Sequence, residues 1–302
     1  MSRRLTIYLL ALGTVALWGA SFVLTKLALE ELGPQGIAFV RWAISTVALG
    51  GWLTMTRRWP IAVQLLRQEG RTVAWIALTG ITLFYALENL ALRYTTAVNT
   101  GILANFTTVF MALLGTFWLG ERLRLGGWLA MAVAFVGAVL VSQGSGHLTV
   151  SGPGLRGDLL MVIATLFAAI YSVGGKQLVE RFPADVVTTL VAALGTLFLL
   201  PLALWEGMTL FLASRVVLAL SPGTWSALLL LGLGSGALAN LWWLHVLAYT
   251  QAARAGMILF LIPVFSTALA VTVLHEPLTL TMLVGATLVL GSMAIMQRKR
   301  NE

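Results

Sequence analysis

Apolar residues in this chain fall in long unbroken runs, without the alternation or narrow stripes of a water-exposed fold. Ten runs stand out, at about 5–27, 36–55, 73–92, 98–118, 126–143, 158–177, 186–205, 224–247, 255–274 and 279–297. Each approaches the ~20 residues that a helix needs to cross a hydrocarbon core of ~30 Å. A backbone in lipid must satisfy its own polar groups, so runs of this length predict helices. The pattern predicts an all-α integral membrane protein with ten transmembrane helices and short connections. Composition agrees, since 59% of the 302 residues are hydrophobic and only 10% are charged, where soluble domains average about 25% charged. Nothing outside the bilayer is large enough to form a separate enzyme domain. The first run follows Arg3 and Arg4 as in a secretory signal, but it continues to Thr25, past the roughly 7 to 15 residues of a signal core. It reads as a retained first helix.

The chain holds 19 Lys and Arg against 11 Asp and Glu, a net charge of +8. These cations sit between apolar segments and form no patch of the kind a nucleic-acid binder presents, so no nucleic-acid partner is expected. With a cytoplasmic N-terminus, fourteen of the nineteen fall at inner ends and loops, Arg57, Arg58, Arg181 and Arg254 among them. This is a positive-inside bias. An even number of spans then places both termini in the cytoplasm of a cell whose inner membrane the chain crosses repeatedly. The absence of Cys excludes disulfides, thiolate nucleophiles and Cys-based metal sites. His147, His245 and His275 are far apart and predict no metal centre. The G-x-G-x-x-G match at 152–157 follows no strand, and no phosphate-loop lysine motif appears. Neither cofactor, metal nor catalytic set is expected, and the bilayer and a small molecule are the expected partners. Monomer and oligomer are not distinguished.

An internal repeat carries the most information. Ala86-Leu87-Glu88-Asn89-Leu90 matches Ala237-Leu238-Ala239-Asn240-Leu241 at an offset of 151. Tyr94-Thr95-Thr96-Ala97 matches Tyr249-Thr250-Gln251-Ala252, Gly101 matches Gly256, and Glu121 and Leu123 match Glu276 and Leu278, all at an offset of 155. The four-residue difference is most simply placed near Trp242 to His245. Two units follow, 1–147 and 148–302, each of five spans. An odd number inverts the second relative to the first. The fold expected is two inverted five-helix repeats around a central cavity, the architecture of many secondary transporters.

Polar side chains inside spans are costly unless they face a partner or a cavity. Tyr85 and Asn89 share one face of span 3; Asn240, the mate of Asn89 at this offset, shares a face with Trp243. Asn105 adds an amide in span 4. Such amides suit a small zwitterion, and they also serve as glue between helices. Trp18, Ser21 and Phe22 form one stripe of span 1, with Tyr171 near the corresponding position of span 6; together they predict an amphipathic pocket. Glu88 is a carboxylate within a span, read either as a coupling site or as the partner of Arg41 in an ion pair. Gly232 and Gly236 predict a face for close helix packing.

Trp18-Gly19-Ala20-Ser21-Phe22, Lys26, Arg41, Tyr94-Thr95-x-Ala97 and Leu119-Gly120-Glu121-Arg122-Leu123 resemble the EamA-type drug/metabolite transporter superfamily. So do Lys176, Tyr249-Thr250-x-Ala252, Pro263-Val264-Phe265 and His275-Glu276-Pro277-Leu278 in the second half. The pattern departs at Thr108, which stands where a proline is common, and in span 6, which lacks a Trp-Gly pair. The resemblance implies a cavity lined mainly by spans 1, 3, 4, 6, 8 and 9. It implies transport of amino acids, other metabolites, nucleotide-linked sugars or drugs, often outward. The function expected is secondary active or facilitative export of small metabolites such as amino acids, including aromatic or hydrophobic ones, by alternating access. A multidrug or other metabolite exporter is the alternative, and an intramembrane enzyme or a scaffold comes after it.

Overall fold

The computed structural model describes residues 3–95, 97–121, 123–144, 153–207, 220–273 and 279–298, and helices are the only regular elements among them. We number them α1 (Arg3–Ala28), α2 (Pro34–Met55), α3 (Trp59–Tyr94), α4 (Ala97–Ala104 and Phe106–Leu119) and α5 (Leu125–Gly144). The second half supplies α6 (Pro153–Val179), α7 (Ala184–Trp205), α8 (Pro222–Leu247), α9 (Ala252–Leu259 and Ile262–Val273) and α10 (Leu280–Arg298). Seven stretches are long and apolar enough to cross a bilayer, and shorter apolar stretches in α5, α9 and α10 complete ten. Val47, Phe117 and Leu129 turn outward, which a lipid solvent favours. Among the described residues the protein is all-helical, with ten membrane helices.

One element is longer than the hydrophobic pattern predicts. α3 begins at Trp59 instead of near 73 and kinks at Glu69, whose φ is −130° and ψ 21°. In its first turns Ala62 and Leu65 are buried while Gln64, Arg67 and Gln68 are exposed. That is the i, i+3 stripe of an amphipathic helix at a membrane surface. Its low apolar content hid it from a search for spans.

Carboxylates from one half cap helices of the other, where exposed N–H groups and the helix dipole favour negative charge. Glu206 Oε2 accepts from the backbone N–H groups of Gln35 (2.8 Å) and Gly36 (2.9 Å) at the start of α2. Glu31 accepts from Ser221 N (2.9 Å) and Thr224 Oγ1 (2.9 Å) at the start of α8. The hydrogen bonds from Ser221 and Thr224 hold its carboxyl below the usual carboxylate value. At the opposite face Glu121 Oε1 accepts from Ala252 N (3.0 Å) at the start of α9. Glu276 and Leu278, the repeat mates of Glu121 and Leu123, lie outside the described residues.

The halves correspond in detail. Lys26 Nζ donates to Leu92 O (3.1 Å), and Lys176 Nζ donates to Leu247 O (3.4 Å). The lysines stand 150 apart and their acceptors 155 apart. α3 and α8 each contain a stretch of wider π-type winding, six residues at Leu78–Leu83 and nine at Leu230–Leu238. Both stretches end in register at the 155 offset, so the longer one absorbs three of the extra residues upstream. The insertion therefore does not fall near Trp242 to His245, and the residue opposite Asn240 is Tyr85 instead of Asn89. A wider helical turn accommodates extra residues without breaking the helix, and hydrophobicity does not register it.

α5 and α10 pack directly on each other. A Cβ on Gly137 would lie 2.7 Å from Gly285 O, and one on Gly285 would lie 2.5 Å from Gly137 O. Small residues permit this approach of two backbones. Gly285→Val forces them apart and is expected to cost about 1–3 kcal/mol, read as a lowered melting temperature of the purified protein in detergent. Wild-type melting would show that the crossing does not contribute.

Candidate functional site

A central cavity is walled by α1, α2, α3, α4, α6, α8 and α9. The walls mirror one another. Trp18, Ser21 and Phe22 on α1 answer Ala168, Tyr171 and Ser172 on α6, each at an offset of 150. Ala104 and Thr107 on α4 answer Leu259 and Ile262 on α9, and Tyr85 answers Asn240, each at 155. The α4 and α9 residues flank the points where those helices break.

The breaks have different local causes. At Asn105 the side chain donates to Gly101 O (3.1 Å) and Ile102 O (3.0 Å), drawing two carbonyls of its own helix. In α9 the corresponding turn precedes Pro263, which has no N–H to give. Thr108, in the proline's place, instead donates to Gly256 O across the helix crossing at 2.7 Å.

Two ionisable groups break the symmetry of the walls. Arg41 is 1% exposed, and its Nη2 donates to Ser235 Oγ (2.9 Å) and more weakly to Tyr85 OH (3.5 Å). The guanidinium lies over the Tyr85 ring, 4.3 Å from its centroid, a favourable cation–π arrangement. Ser45 Oγ donates to Gly232 O (2.7 Å), and a Cβ on Gly236 would lie 2.2 Å from Ser45 Oγ. The two glycines thus let α2 approach α8 closely enough for Arg41 to reach Ser235. Glu88 lines the same cavity, and its Oε2 is buried with no hydrogen-bond partner, as is Arg41 Nε. Of the two readings of Glu88, coupling site or partner of Arg41, the direct ion pair is not formed: Ser235 and Tyr85 take the guanidinium. At the 155 offset the residue opposite Glu88 is Trp243, and at 150 the residue opposite Arg41 is Val191.

Of the residues singled out in the sequence, Trp18, Ser21, Phe22, Arg41, Tyr85, Glu88, Tyr171 and Asn240 line the cavity. Asn240 Nδ2 donates to Ser235 O and Gly236 O, both at 2.9 Å, leaving Oδ1 as its acceptor. Trp243 is buried behind the wall, donating to Ser172 Oγ (3.1 Å) with its ring edge-on to Trp18 at 5.4 Å. Asn89 and Asn105 do not line the cavity. Asn89 Nδ2 donates to Pro34 O (2.9 Å) and ties α3 to the start of α2. Sequence reasoning missed Ser172 and Thr107 as lining groups and Ser235 as the anchor of Arg41. The repeat marks Ser172 as the mate of Phe22, whereas nothing local distinguishes Ser235.

The cavity measures ≈ 70 Å³, space for a few waters at about 30 Å³ each. The site as it stands is therefore small. Among the described residues no group of three His, Asp or Glu is placed to hold a metal.

The sequence profile of the EamA-like transporter family matches the chain twice, over residues 5–143 and 155–298. The chain belongs to the EamA-like transporter family. An "uncharacterized transporter" of Archaeoglobus fulgidus is 30% identical over 97% of this chain and 98% of its own. A "probable terminal-alkyne amino-acid exporter" of Streptantibioticus cattleyicolor is 27% identical over 94% of this chain and 91% of its own. A crystal structure of another protein, 20% identical, shares the fold with a TM-score of 0.76 over 96% of this chain and 95% of that one. The two sequence relatives are named for transport, and this EamA-family chain is a multi-pass membrane transporter.

Because Ser235 makes the short contact to a buried guanidinium, Ser235→Ala is expected to destabilise the transporter by about 1.5–3 kcal/mol. Thermal unfolding of purified protein checks this, with Ser226→Ala, at an exposed helix position, as the control.

Proposed function

We propose that this transporter carries small zwitterionic metabolites, amino acids in particular, out of the cell by alternating access. The carrying observation is that Arg41 and Glu88 face one cavity without bonding to each other. A guanidinium with unused donors suits a carboxylate, and a carboxylate with an unpartnered oxygen suits an ammonium. Trp18, Phe22 and Tyr171 offer an apolar wall for the side chain, and Ser21 and Asn240 offer polar contacts. The relative named as an amino-acid exporter supports the same substrate class. A broad drug-binding site is less well supported by a cavity of ≈ 70 Å³ containing two charges.

Alternating access fits the two units, 1–147 and 148–302, as inverted repeats exchanging conformations. Lys26 and Lys176 bind equivalent carbonyls at opposite faces. Lys176 also bonds Thr250 O (3.1 Å) and pairs with Glu180 (3.2 Å) and Glu121 (3.8 Å). We read these as latches whose release opens one face. The face bearing Arg58 and Arg181 is the cytoplasmic one by the charge bias, and both termini lie on it.

Purified protein in liposomes is expected to exchange amino acids from a panel of labelled compounds. Glu88→Gln removes the negative charge that pairs with the ammonium, replaces one carboxylate oxygen with an N–H donor, and leaves Arg41 on Ser235. It is expected to fold normally and lose about ten- to a hundredfold in amino-acid transport, equivalent to a charge-assisted bond of ~1.5–3 kcal/mol. A folded Gln variant with wild-type amino-acid transport, or a panel in which no amino acid moves, overturns the reading.

Topology is tested separately. The chain has no Cys, so single cysteines report alone. An impermeant thiol reagent on intact cells is expected to label Glu30→Cys and spare Arg124→Cys. The reverse pattern turns the protein over.

A further inference from the structure

A second cavity lies across α8 from the first. Asn240 borders the central cavity, whereas its neighbours Leu241 and Trp242 line the second. The second measures ≈ 440 Å³ against ≈ 70 Å³ and opens among α1, the end of α2, the start of α7 and the end of α8. Its polar end is at the basic face, where Arg58 precedes α3 and Asp185 opens α7. Its apolar wall runs inward along Trp242 to Leu10, seven residues into α1, which is about 10 Å along the axis.

The donors and acceptors at the polar end are unequal. Asp185 Oδ1 accepts from Arg58 Nη1 (3.0 Å) and Val186 N (3.0 Å), and Oδ2 accepts from Arg58 Nη1 (2.8 Å) and Trp52 Nε1 (3.2 Å). Both oxygens are therefore engaged, and no carboxylate capacity is left for a ligand ammonium. Arg58 spends only Nη1 on this pair, and its side chain is 45% exposed. His245, edge-on to Tyr249 at 5.2 Å, adds a ring N–H on the same wall. A crevice that offers donors at the membrane surface and an apolar wall running into the membrane is complementary to an anionic amphiphile. Trp52, half exposed at the end of α2, is at the depth where tryptophan meets lipid headgroups.

We propose that this crevice binds an anionic phospholipid of the leaflet on the basic face, its phosphate on Arg58 and His245 and its upper chain along Trp242 and Leu10. A bound lipid there props the cleft between α1 and α7 against the outer side of α8. The central cavity's substrate has no part in the proposal.

Native mass spectrometry of protein taken from bilayers of equal phosphatidylglycerol and phosphatidylcholine tests it. The unaltered protein is expected to retain phosphatidylglycerol about fivefold over phosphatidylcholine, the preference of roughly one basic contact. His245→Gln is expected to weaken that preference, and Ala248→Phe, which fills the crevice without touching an ion pair, to abolish it. Arg58→Gln also strips Asp185 of its partner, so the two other variants decide if it fails to fold. Equal retention of the two lipids overturns the proposal, as does a Phe variant that keeps the preference. Thermal stabilisation by inorganic phosphate equal to that by phosphatidylglycerol overturns it too, and assigns the crevice to a soluble anion.

Discussion

A guanidinium sealed inside a lipid-embedded bundle must find its acceptors within the protein, and for Arg41 that requirement fixes how α2 packs on α8. Removing a charge from water costs several kcal/mol even after relaxation, so Ser235 and the Tyr85 ring have to be within reach. They are within reach because Gly232 and Gly236 present no side chain to α2 and because Ser45 bonds the exposed carbonyl of Gly232. The same stretch of α8 supplies Ser235 O to both Trp18 Nε1 (3.2 Å) and Asn240 Nδ2 (2.9 Å). α1, α2 and α8 thus meet at one residue, whose carbonyl accepts from the Trp18 indole of the cavity wall and whose hydroxyl accepts from the Arg41 guanidinium.

Irregular backbone is costly in lipid unless protein or a cavity covers it. Among the described residues four irregularities follow this rule: the wide turns of α3 and α8, and the breaks of α4 and α9. Gly80, in the wide stretch of α3, lines the cavity, and a Cβ there would lie 2.2 Å from Tyr171 Cβ. Asn105 and Phe260 sit between pairs of lining residues. The carbonyls that regular helix would consume are instead available to Asn105, Asn240 and Trp18. Wide turns are often found at functional sites for this reason.

The ten spans were legible because a hydrocarbon core demands length and apolarity and little else. The repeat was legible too, and it identified the α1 stripe and its counterpart near Tyr171. The register between α3 and α8 was misread. A-L-x-N-L is the stronger sequence match, yet the two amides have different structural work: Asn89 secures a loop carbonyl while Asn240 faces the cavity. The extra residues of α8 lie in a wide turn, and wide turns carry no hydrophobic signature. Arg41 and Glu88 stood out as ionisable groups in apolar spans, but their failure to bond follows from Ser235, a serine among glycines that nothing in the one-dimensional pattern separates from packing. The helix before Glu69 was hidden for the opposite reason, being too polar to count as a span.

The symmetry of the walls and the asymmetry of the charges divide the labour of the site. The lining positions recur in both halves while their side chains differ, Trp18 answering Ala168 and Phe22 answering Ser172; under the alternating access proposed above each half closes the cavity in turn. Arg41 and Glu88 have apolar counterparts in Val191 and Trp243. A charge repeated in both halves would place like charges across a small cavity, whereas one of each sign would orient the zwitterion proposed above. Holding them apart matters energetically. A direct bridge would satisfy both groups in the empty protein and leave a ligand to compete with it, while separated charges gain most when a zwitterion spans them. With space for only a few heavy atoms between the walls, a longer side chain requires the walls to move. Under the alternating access proposed above, the segments placed to move are the halves of α4 and α9, whose breaks sit at the cavity and where Ala104, Thr107, Leu259 and Ile262 would separate without cutting a continuous helix.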